Sequence, residues 1–155
     1  MRVYRLARLL FAASPFDGEG SYRFGGRWSS PGTRVVYTAE HLSLAMLEYL
    51  AHLDPNGLPG DLVLAQAEIP DRVSRISIRL KDLSADWARY PAPAETAFIG
   101  DHFVLEARAA VLTVPSVLAP AEHNLLINPL HADFRHIRIL PAERFTYDRR
   151  LIPAK

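Results

Sequence analysis

The sequence predicts an α+β fold, a compact mixed sheet carrying a few helices. Short strand-like segments rich in β-branched and aromatic residues recur at uneven intervals, punctuated by proline and glycine. Only two long segments carry a helical pattern. They do not alternate with the strands as a doubly wound parallel sheet would require. The 155 residues read as one domain, 1–155, long enough to bury a core without disulfides or metal.

In chain order, residues 2–6 are short and strand-like. Residues 17–33 are glycine-rich, a series of turns suited to the wall of a surface cleft. Residues 34–38, Arg-Val-Val-Tyr-Thr, form a strand. Residues 40–53 read as a helix, with Thr38 as its cap and Asp54-Pro55-Asn56-Gly57 as its stop. Residues 61–69 alternate as a strand and halt at Pro70, and 73–80 make another. A proline-punctuated loop over 87–94 precedes a second helix over 95–107. Residues 109–114 are a strand leading into Pro115-Ser116, 119–133 a polar loop with little periodicity, and 135–140 a closing strand.

Composition excludes several function classes. A net charge of +1 without a basic stripe argues against general nucleic-acid binding. With no cysteine there is no disulfide framework, thiol catalysis or zinc–thiolate site. Residues 1–15 resemble a secretory signal superficially, but Arg5 and Arg8 cut the apolar run to residues 9–13. A secretory core needs roughly 7–15 apolar residues, so a cytoplasmic protein is expected. No segment is long enough to span a bilayer.

Chemistry concentrates between residues 25 and 48, where a turn, a strand and a helix carry Arg27, Tyr37 and Glu48. Arg27 follows two glycines, which let backbone approach a ligand, and its guanidinium suits phosphate oxygens. It reads equally as a turn arginine stacked on a neighbouring aromatic. Tyr37 is either a half-buried strand tyrosine or a ring placed to stack on a heteroaromatic base. Glu48 is the sole acid between Glu40 and Asp54 and falls on a helical stripe with His41, Ala45 and His52. A carboxylate there must reach solvent, a partner or a ligand. Pairing with His52 at i+4 is the simplest outcome. His123, His131 and His136, near Glu122 and Asp133, match no standard ligand spacing, and no metal site is expected. Trp87 and Tyr90, among prolines, suit packing under a loop or a docking surface. Asn124 and Asn128 suit ordered-loop backbone, or for Asn124 a cleft wall. Arg149, Arg150 and Lys155 read as a solvated basic tail.

The chain resembles the RES-domain toxin family, named for an arginine, a glutamate and a serine. The match runs through Gly-Gly-Arg-Trp-Ser-Ser-Pro-Gly-Thr at 25–33, Val-Val-Tyr-Thr-Ala-Glu at 35–40 and Leu-Ser-Leu-Ala-Met-Leu-Glu at 42–48. It continues at Val-Pro-Ser-Val-Leu, 114–118, and through Glu-His-Asn-Leu-Leu-Ile-Asn-Pro-Leu-His-Ala-Asp-Phe, 122–134. The chain departs from the family at Glu106-Ala107-Arg108, where a small residue and glycine are expected, and at His123, where an aromatic is commoner.

The resemblance implies a fold similar to the ADP-ribosyltransferase toxins, with Arg27, Glu48 and Ser116 as the name-giving residues and Tyr37 as the active-site tyrosine. It implies a type II toxin that consumes NAD+ as substrate, by hydrolysis or phosphorolysis, and arrests growth. Alternatives are transfer of ADP-ribose to a cellular protein, or an inactive antitoxin-binding co-repressor. On this reading Glu48 stabilises the charge that develops at the ribose. Arg27 pairs with the pyrophosphate, Tyr37 packs on the nicotinamide, Ser116 bonds ribose or phosphate, and Asn124 helps hold the dinucleotide. The expected partner is an Xre-type helix-turn-helix antitoxin, with DNA reached only through it and a toxin homodimer left open. No cofactor is expected.

Overall fold

A computed structural model describes residues 1–53 and 59–151. The stop at Asp54-Pro55-Asn56-Gly57 and Lys155 of the basic tail lie outside the described residues. Eight strands form one sheet: β1 (Arg2–Arg8), β2 (Val36–Ala39), β3 (Leu62–Glu68), β4 (Arg75–Ser77), β5 (Val111–Pro115), β6 (His123–Ile127), β7 (Arg138–Ile139) and β8 (Glu143–Phe145). Among the described residues three α-helices join them: α1 (Glu19–Phe24), α2 (Leu42–Ala51) and α3 (Ala94–Glu106). The sheet order is β4-β5-β6-β2-β1-β3-β7, with β8 also on β3. Only β4 and β5 run parallel, so the sheet is mixed and the class is α+β, as expected.

Four expectations need correction. The polar loop over 119–133 instead contains β6, a central strand paired with β5 and β2. Leu125, Leu126 and Ile127 are buried on both faces, so the strand shows no alternation to read. Thr38 does not cap α2. Its hydroxyl donates to the Leu125 carbonyl inside the sheet, and His41 holds the cap position without a side-chain bond. The closing strand expected over 135–140 is only the two-residue β7, preceded by a 3₁₀ turn over Ala132–His136. The strand expected over 73–80 is only the three residues of β4.

The core lies on both faces. One face buries Val3, Phe16, Val36, Ala65, Val111 and Ile127. On the other, α2 places Leu42, Met46, Tyr49 and Leu50 against Leu6, Leu62 and Leu64. Beside it, Trp28 and Trp87 pack with Phe103 of α3 on Leu112, Val114 and Leu126. The Trp28 and Trp87 rings stand 6.2 Å apart, so Trp87 is core, whereas Tyr90 of the same loop is exposed. No helix among the described residues is long and apolar enough to cross a membrane.

Candidate active site

A cavity of about 760 Å³ opens where the glycine turn, β1, β2, α2 and the 84–93 loop meet. Arg27, Tyr37, Glu48 and Asn124 all line it. Four residues spread over nearly a hundred positions thus share one space.

Glu48 faces into the fold rather than toward His52. Its Oε1 accepts from the Ser116 hydroxyl at 2.9 Å and from the Asn124 side-chain amide at 2.6 Å. His52 bonds the Glu48 backbone carbonyl instead, at 2.7 Å, so the i+4 side-chain pair does not form. Both anchors use the same oxygen, and among the described residues Oε2 carries no hydrogen bond. The carboxylate is fixed by one oxygen and presents the other.

Ser116 is fully buried, and its role differs from the expected ribose or phosphate contact. Its hydroxyl donates to Glu48 and accepts from the backbone N–H groups of Leu118 and Ala119 at 3.1 and 3.2 Å. With every bonding site in use, it positions Glu48 and does not touch the cavity. Asn124 lies on β6 beside Ala39 of β2, where strand pairing brings it within reach of α2.

Arg27 is held by the 84–93 loop. Its two terminal nitrogens donate to the carbonyls of Trp87 at 2.7 Å and Arg89 at 3.1 Å. Burial pushes its pKa down, while the Glu48 carboxylate opposes that shift. The Glu48 carboxylate therefore acts on Arg27 at a distance, with no ion pair between them. Two opposite charges thus face one cavity without pairing.

Tyr37 fastens the glycine turn. Its hydroxyl accepts from the Trp28 backbone N–H at 3.0 Å and bonds the Ser29 hydroxyl at 2.8 Å. Gly26 makes this contact sterically feasible, since a Cβ there would sit 2.6 Å from the Tyr37 oxygen. Burial pushes the Tyr37 hydroxyl up to about 12, despite the bonds from Ser29 and Trp28 that favour ionisation. The residue stays a neutral phenol across the working pH range, with its ring as a wall of the cavity.

That shift has a testable sign. Between pH 10 and 12 the unfolded chain gives up this proton while the folded chain keeps it, so stability falls as pH rises through that window. Tyr147, also pushed up by burial to about 12, adds to the same slope. Tyr37→Phe is expected to lose about 1–3 kcal/mol at pH 8, by leaving the Trp28 N–H without its acceptor. It should also lose less stability between pH 10 and 12. Urea midpoints at pH 8, 10 and 11 check both effects.

The three histidines do not converge. His123 bonds Glu40 at 3.1 Å, and the His131 Nε2–H donates to the Ala107 carbonyl at 3.0 Å. The acids and histidine that meet are Glu40, His41 and Glu122, with ligand atoms within 4.8 Å of one another. His41 already bonds Glu122, and Glu40 accepts from the His123 backbone and ring. Asn128 accepts from the Leu130 N–H, its expected backbone role.

Sequence reasoning missed Arg5, Tyr4, Tyr49 and Tyr90 as lining residues. For Arg5 a signal existed: it shares a strand face with Val3 and Ala7, both buried, where an apolar residue is the norm.

Residues 2–148 match the family model described as RES domain. A protein of Sphingobium sp. named Prs ADP-ribosylating toxin is 37% identical over 144 residues, covering 92% of this chain and 89% of its own. A protein of Yersinia enterocolitica named Toxin Res is 36% identical over 152 residues, 97% of this chain and 99% of its own. Among solved structures, a chain of the M. tuberculosis MbcT–MbcA toxin–antitoxin complex superposes with a TM-score of 0.73 at 18% identity. The superposition covers 94% of this chain and 84% of that chain, and at this identity it shows the shared fold alone. With the model matched from end to end of the sheet and the relatives matched along nearly their whole length, the chain belongs to the RES domain family of toxins.

Proposed function

We propose that this toxin binds NAD+ in the cavity and breaks the bond between nicotinamide and its ribose. The observation that carries the reading is Glu48, fixed through Oε1 by Ser116 and Asn124, with no hydrogen bond to Oε2 among the described residues, in a cavity that Arg27 also lines. As the C–N bond breaks, its electron pair leaves with the nicotinamide nitrogen, which becomes neutral, and positive charge grows on the ribose. A carboxylate held beside that carbon stabilises the charge in the transition state. Glu48 can also orient the incoming oxygen of water or phosphate. The remaining N–H groups of Arg27 suit the diphosphate. Tyr37, its hydroxyl committed to the turn, offers a ring face to the nicotinamide. Asn124 and Ser116 keep the carboxylate in place. NAD+ is the substrate, and no further cofactor enters these steps.

A second reading is favoured by the name of the Sphingobium relative, an ADP-ribosylating toxin. The same bond breaks, and a side chain of a target protein takes the ADP-ribose. The neighbouring solved structure is a toxin–antitoxin complex. We extend that pairing to this chain, with an Xre-type helix-turn-helix antitoxin as partner, a toxin homodimer within the assembly, and the cytoplasm as the place of action.

The test is nicotinamide release. Purified protein is incubated with NAD+ alone, with added phosphate, and with cell extract. Release under at least one condition is the expected result, and the condition identifies the acceptor. Absence of release under all three would reject the reading.

A further inference from the structure

Of the aromatic residues that line the cavity, only Tyr90 stands in the open, 91% exposed among the described residues. Tyr4 and Tyr49 pack against the cluster of Leu6, Leu62 and Leu64. Trp28 is core, and Tyr37 is tied to the glycine turn.

The backbone under Tyr90 is fixed, although its ring is not covered. Trp87 is buried on one side of it. On the other side Pro93 heads α3, and its carbonyl accepts from the Thr96 N–H at 3.2 Å and hydroxyl at 2.8 Å. Between them the Arg89 N–H closes a turn onto the Asp86 carbonyl at 2.9 Å. Pro91 and Pro93 restrict the chain further, because each ring locks its own φ. A side chain on so well-held a shelf loses little freedom when a ligand meets it.

The shelf is also joined to the charged part of the site. The carbonyl that Arg27 holds at 3.1 Å belongs to the Arg89–Tyr90 peptide. The Tyr90 Cα therefore lies within about 6 Å of the guanidinium nitrogen. With the nicotinamide ribose at Glu48 and the diphosphate at Arg27, a single ribose separates that diphosphate from the adenine. An open ring one peptide from Arg27 is within reach of such a base. Every nucleobase offers a π face, and stacking on tyrosine needs no hydrogen bond from it.

We infer that Tyr90 is the platform on which the adenine of the dinucleotide stacks. It would set the preference for a dinucleotide over a ligand that carries phosphate alone. The inference rests on the NAD+ reading for the identity of the ligand, and its test does not need turnover.

Tyr90→Ala and Tyr90→Phe are compared with wild type by calorimetric titration with ADP and with sodium pyrophosphate, and all three are melted. Tyr90→Ala should bind ADP about tenfold more weakly and pyrophosphate as wild type does. Tyr90→Phe, which keeps the ring, should bind ADP within about twofold of wild type. Both should melt within about 1 °C of wild type, since the ring covers no core. With NAD+, Tyr90→Ala should raise KM about tenfold and leave kcat unchanged. Wild-type ADP affinity in Tyr90→Ala, an equal loss for pyrophosphate, a loss in Tyr90→Phe as large as in Tyr90→Ala, or a wild type that does not bind ADP would overturn the proposal. A wild type that binds ADP through Tyr90 but releases no nicotinamide sinks the reaction and leaves the platform standing.

Discussion

Glu48→Gln should reduce nicotinamide release by a factor on the order of 10²–10³ in kcat, with KM for NAD+ nearly unchanged. The substitution keeps the size of the side chain and the oxygen that accepts from Ser116 and Asn124, so the local geometry survives. It removes the negative charge, which is useful only when positive charge has developed on the ribose. A group that acts in the transition state and not in the ground state shows up in kcat. Each decade corresponds to about 1.4 kcal/mol, so the expected loss is about 3–4 kcal/mol of transition-state stabilisation. Single-turnover kinetics with NAD+ would measure it, with a melting curve to show that the fold is intact. Wild-type turnover with Glu48→Gln within about threefold of it would remove Glu48 from the chemistry.

The same experiment separates enzyme from binding module. An inactive co-repressor would arrest nothing, and Glu48→Gln would leave both growth and antitoxin binding as they were. An enzyme loses growth arrest in the variant while antitoxin binding persists.

Much of this site was legible in the chain, and what was not had a physical reason. The helix around Glu48 was readable from its pattern, and the oddity of a lone acid on it marked the residue. Which way the carboxylate turned was not readable. His52 at i+4 was the local choice, whereas the actual partners lie 68 and 76 residues away and meet it only through sheet pairing. Family resemblance named Ser116, but its burial reassigns it from ligand contact to support. β6 escaped because both its faces are covered, which erases the alternation that marks a strand. α1 escaped because it is six residues long with a glycine inside and another at its cap. Arg5 looked like an interruption in an apolar N-terminus. Its place on the cavity wall follows from sheet pairing, which no local pattern encodes.

Gly100→Ala should cost at least about 3 kcal/mol, and Gly20→Ala should cost nothing or stabilise by about 0.5–1 kcal/mol. Both glycines lie within helices, where alanine is intrinsically preferred, so propensity alone predicts the same sign for both. Packing decides otherwise at one of them. A Cβ at Gly20 would meet nothing within 4 Å, whereas one at Gly100 would lie 1.6 Å from the Trp28 carbonyl oxygen and 2.8 Å from its carbon. That obstacle is backbone and cannot rotate away. Either α3 or the glycine turn must move, and α3 is wedged by Phe103 against the core. The turn is further tied to α3 by Asp101, which accepts from the Ser30 N–H at 2.9 Å. Displacing Trp28 also displaces Arg27, one residue away, and strains the Trp28–Tyr37 bond. Gly100→Ala should therefore melt about 6–12 °C below wild type and lose activity even where it remains folded. A variant that melts with wild type would mean that α3 and the arginine turn are not in this close contact. The glycine inside α3 is thus part of the site at one remove, because it lets the helix approach closely enough to set the backbone that aims Arg27.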